Sequence, residues 1–121
     1  MNNRFNFRMW DINTKRFYYM YLDELIGLTR TISIPKEATI QQYTGLTDKN
    51  GKEIFEGDII IDTQKQKYEI IFDENHARYD LKICGENKLR GQTSYGTEIY
   101  EKKHIEVIGN IFENPELLKT I

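Results

Sequence analysis

The chain has a single cysteine, Cys84, so no internal disulfide can form and stability must come from packing and hydrogen bonds. It has no run of about 18 apolar residues, the length a membrane-crossing helix requires. The opening Met1-Asn2-Asn3-Arg4-Phe5 puts no apolar core behind its basic residue, unlike an export signal. These absences lead to the expectation of a cytoplasmic protein that neither spans a membrane nor is exported. Seventeen Lys and Arg against nineteen Asp and Glu give a formal charge of -2, so there is no basic surplus to attract phosphate backbones unspecifically. There is also no internal repeat, no low-complexity tract and no linker-like stretch.

What the chain does have is the composition of a folded domain. Of its 121 residues 39% are hydrophobic and 12% aromatic, enough for one core, and the expectation is a single domain over residues 1–121. Phe5, Phe7 and Met9 alternate with Asn6, Arg8 and Trp10, the period of two of a strand with one buried face. Asp11 to Lys15 supplies turn chemistry and Arg16 to Tyr21 a second, aromatic strand, so residues 4–21 read as a β-hairpin. One helical turn is expected at Asp23 to Gly27, then an irregular connector with an edge strand around Pro35.

From Thr39 the pattern becomes a series of short strands. Asn50-Gly51 predicts a tight hairpin turn, since both residues tolerate positive φ, and Gly57 lets the backbone bend before Asp58-Ile59-Ile60-Ile61. Strands follow at Lys67 to Asp73, Tyr79 to Cys84 and His104 to Phe112, the last bulged at Gly109, with a glycine-containing loop over 85–98. Asn114-Pro115 reads as the cap and first residue of a short terminal helix. The fold class is mainly β: a small barrel or roll from residue 40, preceded by a hairpin and connector over 1–39 and closed by the helix.

Little in the sequence speaks for catalysis. Neither His76 nor His104 has a partner at metal-ligand spacing, and Cys84 lies in an apolar strand with nothing to activate its thiol. No cofactor motif is present; Gly57-Asp58-Ile59 lacks the spaced glycines and lysine of a phosphate loop. Glu56 and Asp58 flank a bend, where they suit a general acid and base, but a turn aspartate more commonly accepts main-chain N–H groups. Hydrolysis by Asp58 with His104 or Glu56 is therefore the weakest reading.

Two binding readings rank above it. The run Phe17-Tyr18-Tyr19-Met20-Tyr21 must present side chains to both faces of a strand, so Phe17, Tyr19 and Tyr21 are the candidate interface of a homo-oligomer, unless residues 22–38 fold over them. Lys65, Lys67, Lys82, Lys88 and Arg90, with Tyr68 or Tyr95 for base stacking, are the alternative, a nucleic-acid patch.

Three blocks carry a resemblance across nearly the whole sequence: Phe7 to Asp11, Gln42 to Ile60, which reads QYTGLTDKNGKEIFEGDII, and Val107 to Leu118, which reads VIGNIFENPELL. Together they resemble the YopX family of bacteriophage and prophage proteins. The resemblance implies a phage or prophage origin in a Gram-positive host, an SH3-like roll from about residue 40, and no established biochemical activity. Read physically, its marked positions are architecture: Trp10, Asp11, Tyr43, Gly45, Asn50, Gly51, Gly57, Asp58, Gly109, Asn110, Asn114 and Pro115 supply turns, caps and buried aromatic area.

Overall fold

The computed structural model describes residues 6–20, 38–85 and 104–119. Among them are eight strands: β1 (Phe7–Asp11), β2 (Arg16–Met20), β3 (Thr39–Thr47), β4 (Glu53–Phe55), β5 (Asp58–Ile61), β6 (Lys67–Asp73), β7 (Arg78–Ile83) and β8 (Glu106–Asn110). They form two antiparallel four-stranded sheets, ordered β2-β1-β3-β4 and β7-β6-β5-β8, so the protein is mainly β as expected. The helical turn expected at 23–27, the connector strand, Tyr21 and residues 86–98 of the glycine-containing loop lie outside the described residues.

The N-terminal hairpin is not an extension. Strand β1 pairs with β2 on one side and with β3 on the other, Arg8 facing both Tyr19 and Gln41, so the first sheet is built from both sides of residue 40. Trp10 is buried as expected, but Asn6 and Arg8 are buried with it, while Phe7 and Met9 on the other face are only half-buried. The alternation was legible but its polarity was not, because Arg8 finds an ion-pair partner inside that offsets its loss of water.

The Asn50-Gly51 reversal occurs where expected, in a different form. Only Gly51 has positive φ (+81°), and the pairing of Asp48 N–H with Lys52 C=O at 2.9 Å makes a three-residue loop with glycine at the bulge position. The bulge in β8 falls as predicted, Ile59 facing Gly109 while Ile60 faces Val107. The terminal helix is a single 3-10 turn, Pro115–Leu118, with Pro115 at its start. Asn114 does not cap it; its Oδ1 turns back to accept the Asn110 N–H at 3.2 Å, and the turn therefore starts without a capping side group.

The core is Ile54, Ile60, Tyr68, Ile70, Leu81, Ile105 and Val107, each side chain worth about 1.5–3 kcal/mol on burial. A second cluster joins the first sheet to the segment after β8: Trp10 stacks on Phe112, centroids 5.1 Å apart, with Phe17 tilted against it at 4.9 Å. Between β4 and β5 the backbone passes from one sheet to the other through Glu56-Gly57. There Glu56 N–H donates to Gln42 C=O, Gly57 N–H to Ile70 C=O, and Gly57 C=O accepts from Ile111 N–H.

Gly57 has φ +86°, and a Cβ there would lie 2.0 Å from Gln41 Nε2, in a side chain held by Arg8. Gly57→Ala is expected to cost about 3 kcal/mol, combining left-handed strain with loss of that hydrogen bond. Gly51→Ala, with open space around it, should cost only the strain, about 1–2 kcal/mol. Urea unfolding of the two variants checks the order.

Candidate binding cleft at the junction of the sheets

Arg8 points from the centre of β1 towards the Glu56-Gly57 crossing and is 4% exposed. Its three nitrogens are all engaged: NH1 lies 2.8 Å from Asp58 Oδ1, Nε donates to Gln41 Oε1 at 2.8 Å, and NH2 donates to Glu56 C=O at 3.1 Å. The guanidinium sits 4.3 Å from the Phe17 ring centroid and 4.9 Å from that of Phe55. Asp58 Oδ2 accepts the Phe55 N–H at 2.8 Å, the turn bond that its position after Gly57 suggests. Burial pushes the Asp58 carboxyl above its ordinary value, against the pull of Arg8 and the Phe55 N–H.

This pair floors a cleft of about 220 Å³. Tyr19 and Phe55 form its aromatic wall, their rings 5.7 Å apart and edge to face. Lys52, Glu53 and Glu113 add charge around it; Asn6 Nδ2 donates to Glu53 at 3.2 Å and Asn110 Nδ2 to Glu113 at 2.7 Å. The cleft is of a size to grip a side chain or a short strand. At its floor both Asp58 oxygens and every Arg8 nitrogen have partners within the protein.

Asp48 is a second buried carboxylate, 1% exposed. Its Oδ1 accepts the N–H groups of Asn50 and Lys52 at 2.8 and 2.9 Å, and its Oδ2 accepts Val107 N–H of β8 at 2.9 Å. Burial opposes its charge, but the three main-chain donors and the Lys52 charge outweigh burial and hold the carboxyl below its ordinary value.

The other candidates are dispersed. His76 Nδ1 lies 2.7 Å from Asp73 Oδ2 at the β6–β7 turn; Cys84 is buried, which pushes its thiol up. His104 lines a separate cavity of about 110 Å³ with Lys49, Asp62 and Lys65, so Asp58 and His104 line different cavities. Among the described residues no group of three or more His, Cys, Asp or Glu is placed to hold a metal ion. No helix among them is long and apolar enough to cross a membrane.

Of the two aromatic residues in the nucleic-acid reading, Tyr68 is not available for stacking. Tyr68 is 2% exposed in the core and its hydroxyl donates to Asp62, while Lys82 faces Glu69 across β6 and β7. Lys88, Arg90 and Tyr95 lie outside the described residues. Of the aromatic run, Tyr19 is 53% exposed beside the cleft; Phe17 is half-buried against Trp10, Phe112 and Arg8, a packing residue more than a surface. Arg8, Gln41 and Asp48 were missed as organising residues. Only Asp48 carried a signal, an aspartate two residues before Asn50-Gly51, where its side chain can bond the turn.

Two antiparallel sheets joined over a buried ion pair, with a polar and aromatic cleft at the joint, define a small, mainly β protein. The protein belongs to the YopX family, whose description, YopX protein, matches residues 14–119. It is similar in fold to protein EF1440 from Enterococcus faecalis, known from a crystal structure, at a TM-score of 0.59 and 24% identity over 94% of this chain and 97% of that one. No curated protein matches it.

Arg8→Met should cost about 3–5 kcal/mol in urea unfolding, because it strands the buried Asp58. Combining Arg8→Met with Asp58→Leu should recover part of that loss. Asp48→Asn should cost about 2–3 kcal/mol at neutral pH, since an amide in place of one oxygen meets the Val107 N–H with a second donor. The contribution of Asp48, whose folded pKa is depressed, is present above its unfolded value and is lost as pH falls through the folded one. The gap between wild type and Asp48→Asn should therefore narrow below about pH 4. Asp58, whose folded pKa is raised, has the opposite sign: its contribution is present below the unfolded value and lost as pH rises through the folded one.

Proposed function

We propose that this protein is a non-catalytic binding and assembly module that associates with a second copy of itself along β2. The observation that carries the reading is the character of that edge. Among the described residues the sheet edges are β2, β4, β7 and β8. Strand β7 carries Arg78, Asp80 and Lys82, β8 begins with Glu106, and β4 is only three residues long and begins with Glu53. Charges and short length are what keep an edge from pairing with another molecule. Strand β2 also begins with a charge, Arg16, but its remaining four residues, Phe17-Tyr18-Tyr19-Met20, carry none and are mostly aromatic, and Tyr18 and Tyr19 are 44% and 53% exposed on its opposite faces. An apolar edge with main-chain groups to offer suits strand addition, and exposed tyrosines suit interfaces.

The non-catalytic part is supported by the partners that the Arg8, Asp58 and Asp48 side chains have within the protein. The same reading takes the strands from about residue 40 as an SH3-like roll and assigns the protein to the cytoplasm of a bacterial host carrying a phage or prophage; membership of the YopX family supports that setting.

Size-exclusion chromatography with light scattering should show a dimer at micromolar concentration. Tyr18→Lys with Tyr19→Lys should give a monomer that circular dichroism shows to be folded, even though the second change gives up the Tyr19 contacts with Phe17 and Phe55. A strict monomer for the unaltered protein at high concentration, or a dimer indifferent to both lysines, would refute the proposal.

A further inference from the structure

We propose that Asn50 is a site of spontaneous chemical modification, restrained in the folded hairpin by the hydrogen bonds around Asp48, and that its isoaspartyl product uncouples the hairpin from β8. The chemistry follows from the dipeptide. The Gly51 nitrogen gives up its proton and attacks Cγ of the Asn50 side chain; an N–Cγ bond forms, the bond from Cγ to Nδ2 breaks, and ammonia leaves with the proton. Water then opens the resulting succinimide. Cleavage of the new N–Cγ bond gives aspartate; cleavage of the original peptide bond to Gly51 gives isoaspartate, whose backbone is one methylene longer. The sum is asparagine plus water to aspartyl or isoaspartyl product plus ammonia, with no redox change.

The structure supplies both the opportunity and the restraint. Asn50 and Gly51 are exposed, and nothing lies within 4 Å of where a Gly51 side chain would stand, so no neighbour crowds the attacking residue. Its nitrogen is occupied as a donor to Asp48 C=O at 3.0 Å, and the Asn50 N–H is held by Asp48 Oδ1 at 2.8 Å. Attack therefore requires the turn to open first, so the rate reports local opening.

The consequence reaches beyond the turn. Asp48 also holds Val107 N–H, and Lys49 N–H donates to Ile105 C=O, so the same loop anchors the start of β8. An added methylene between residues 50 and 51 shifts Gly51 and Lys52 out of register with Asp48. A new carboxylate beside the buried Asp48 charge adds repulsion.

Incubation of the protein in mildly alkaline buffer, followed by peptide mass spectrometry and isoaspartyl methyltransferase labelling, tests this. Modification confined to Asn50, at least about tenfold slower in the native protein than in guanidinium chloride, is expected. Asp48→Asn should bring the native rate towards the denatured one. Because that variant is destabilised, hydrogen exchange on the unaltered protein gives an independent measure: the Gly51 amide should be protected before modification, and Val107 protection should fall at least about tenfold in the isoaspartyl fraction. Equal native and denatured rates, an unprotected Gly51 amide, or unchanged Val107 protection after modification would overturn the proposal.

Discussion

The burial of the Arg8 guanidinium is the constraint on which the rest of the structure depends. A charge removed from water costs several kcal/mol unless it is paired and its donors are satisfied, so β1 can occupy the centre of its sheet only if Asp58, Gln41 and Glu56 C=O are all brought to it. Those partners come from β5, β3 and the crossing between β4 and β5, which ties the first sheet to the second through one side chain. Phe17 and Phe55 close over the cation, and their ring faces add attraction that a purely aliphatic wall would not. Such a pair adds little net stability over a well-packed apolar substitute. A sheet assembled in a different register would leave the charge alone.

The turns follow a second rule. Asp11, Asp48, Asp62 and Asp73 each stand at the end of a strand or just beyond it, and the carboxylate of each accepts the N–H two residues on. Three or four residues after each stands one with positive φ: Lys15, Gly51, Lys65 and Ala77. Only one of these is glycine, so at the other three the hairpin itself must offset the left-handed strain of about 1–2 kcal/mol. Asp48 differs from its counterparts in reach. Its second oxygen takes a donor from β8, 59 residues along, and so turns a local reversal into a joint between distant strands.

What was legible in the sequence was therefore punctuation. Strand periods, the reversals near Asp11, Asn50-Gly51, Gly57 and Asp73, and the β8 bulge all depend on local backbone demands, which a few adjacent residues reveal. What was not legible depended on partners far along the sequence. Arg8 takes the outward position in an apolar alternation, and nothing within ten residues shows that Asp58 will meet it inside. Asn114 reads as a cap because asparagine forms turns, but the N–H that it accepts belongs to Asn110 at the end of β8, a competitor that the cap motif does not include. Tyr68 reads as a stacking platform because alternation does not say which side of β6 meets the core.

These two levels meet at Tyr19. Its backbone lies on an edge strand whose last four residues carry no charge, and its ring packs against Phe17 and Phe55 over the buried guanidinium. A strand added to β2 would lie beside the cleft without disturbing its floor, because Arg8 and Asp58 are already held by partners within the protein. Binding there would draw on main-chain hydrogen bonds for affinity and on the cleft for selectivity among side groups.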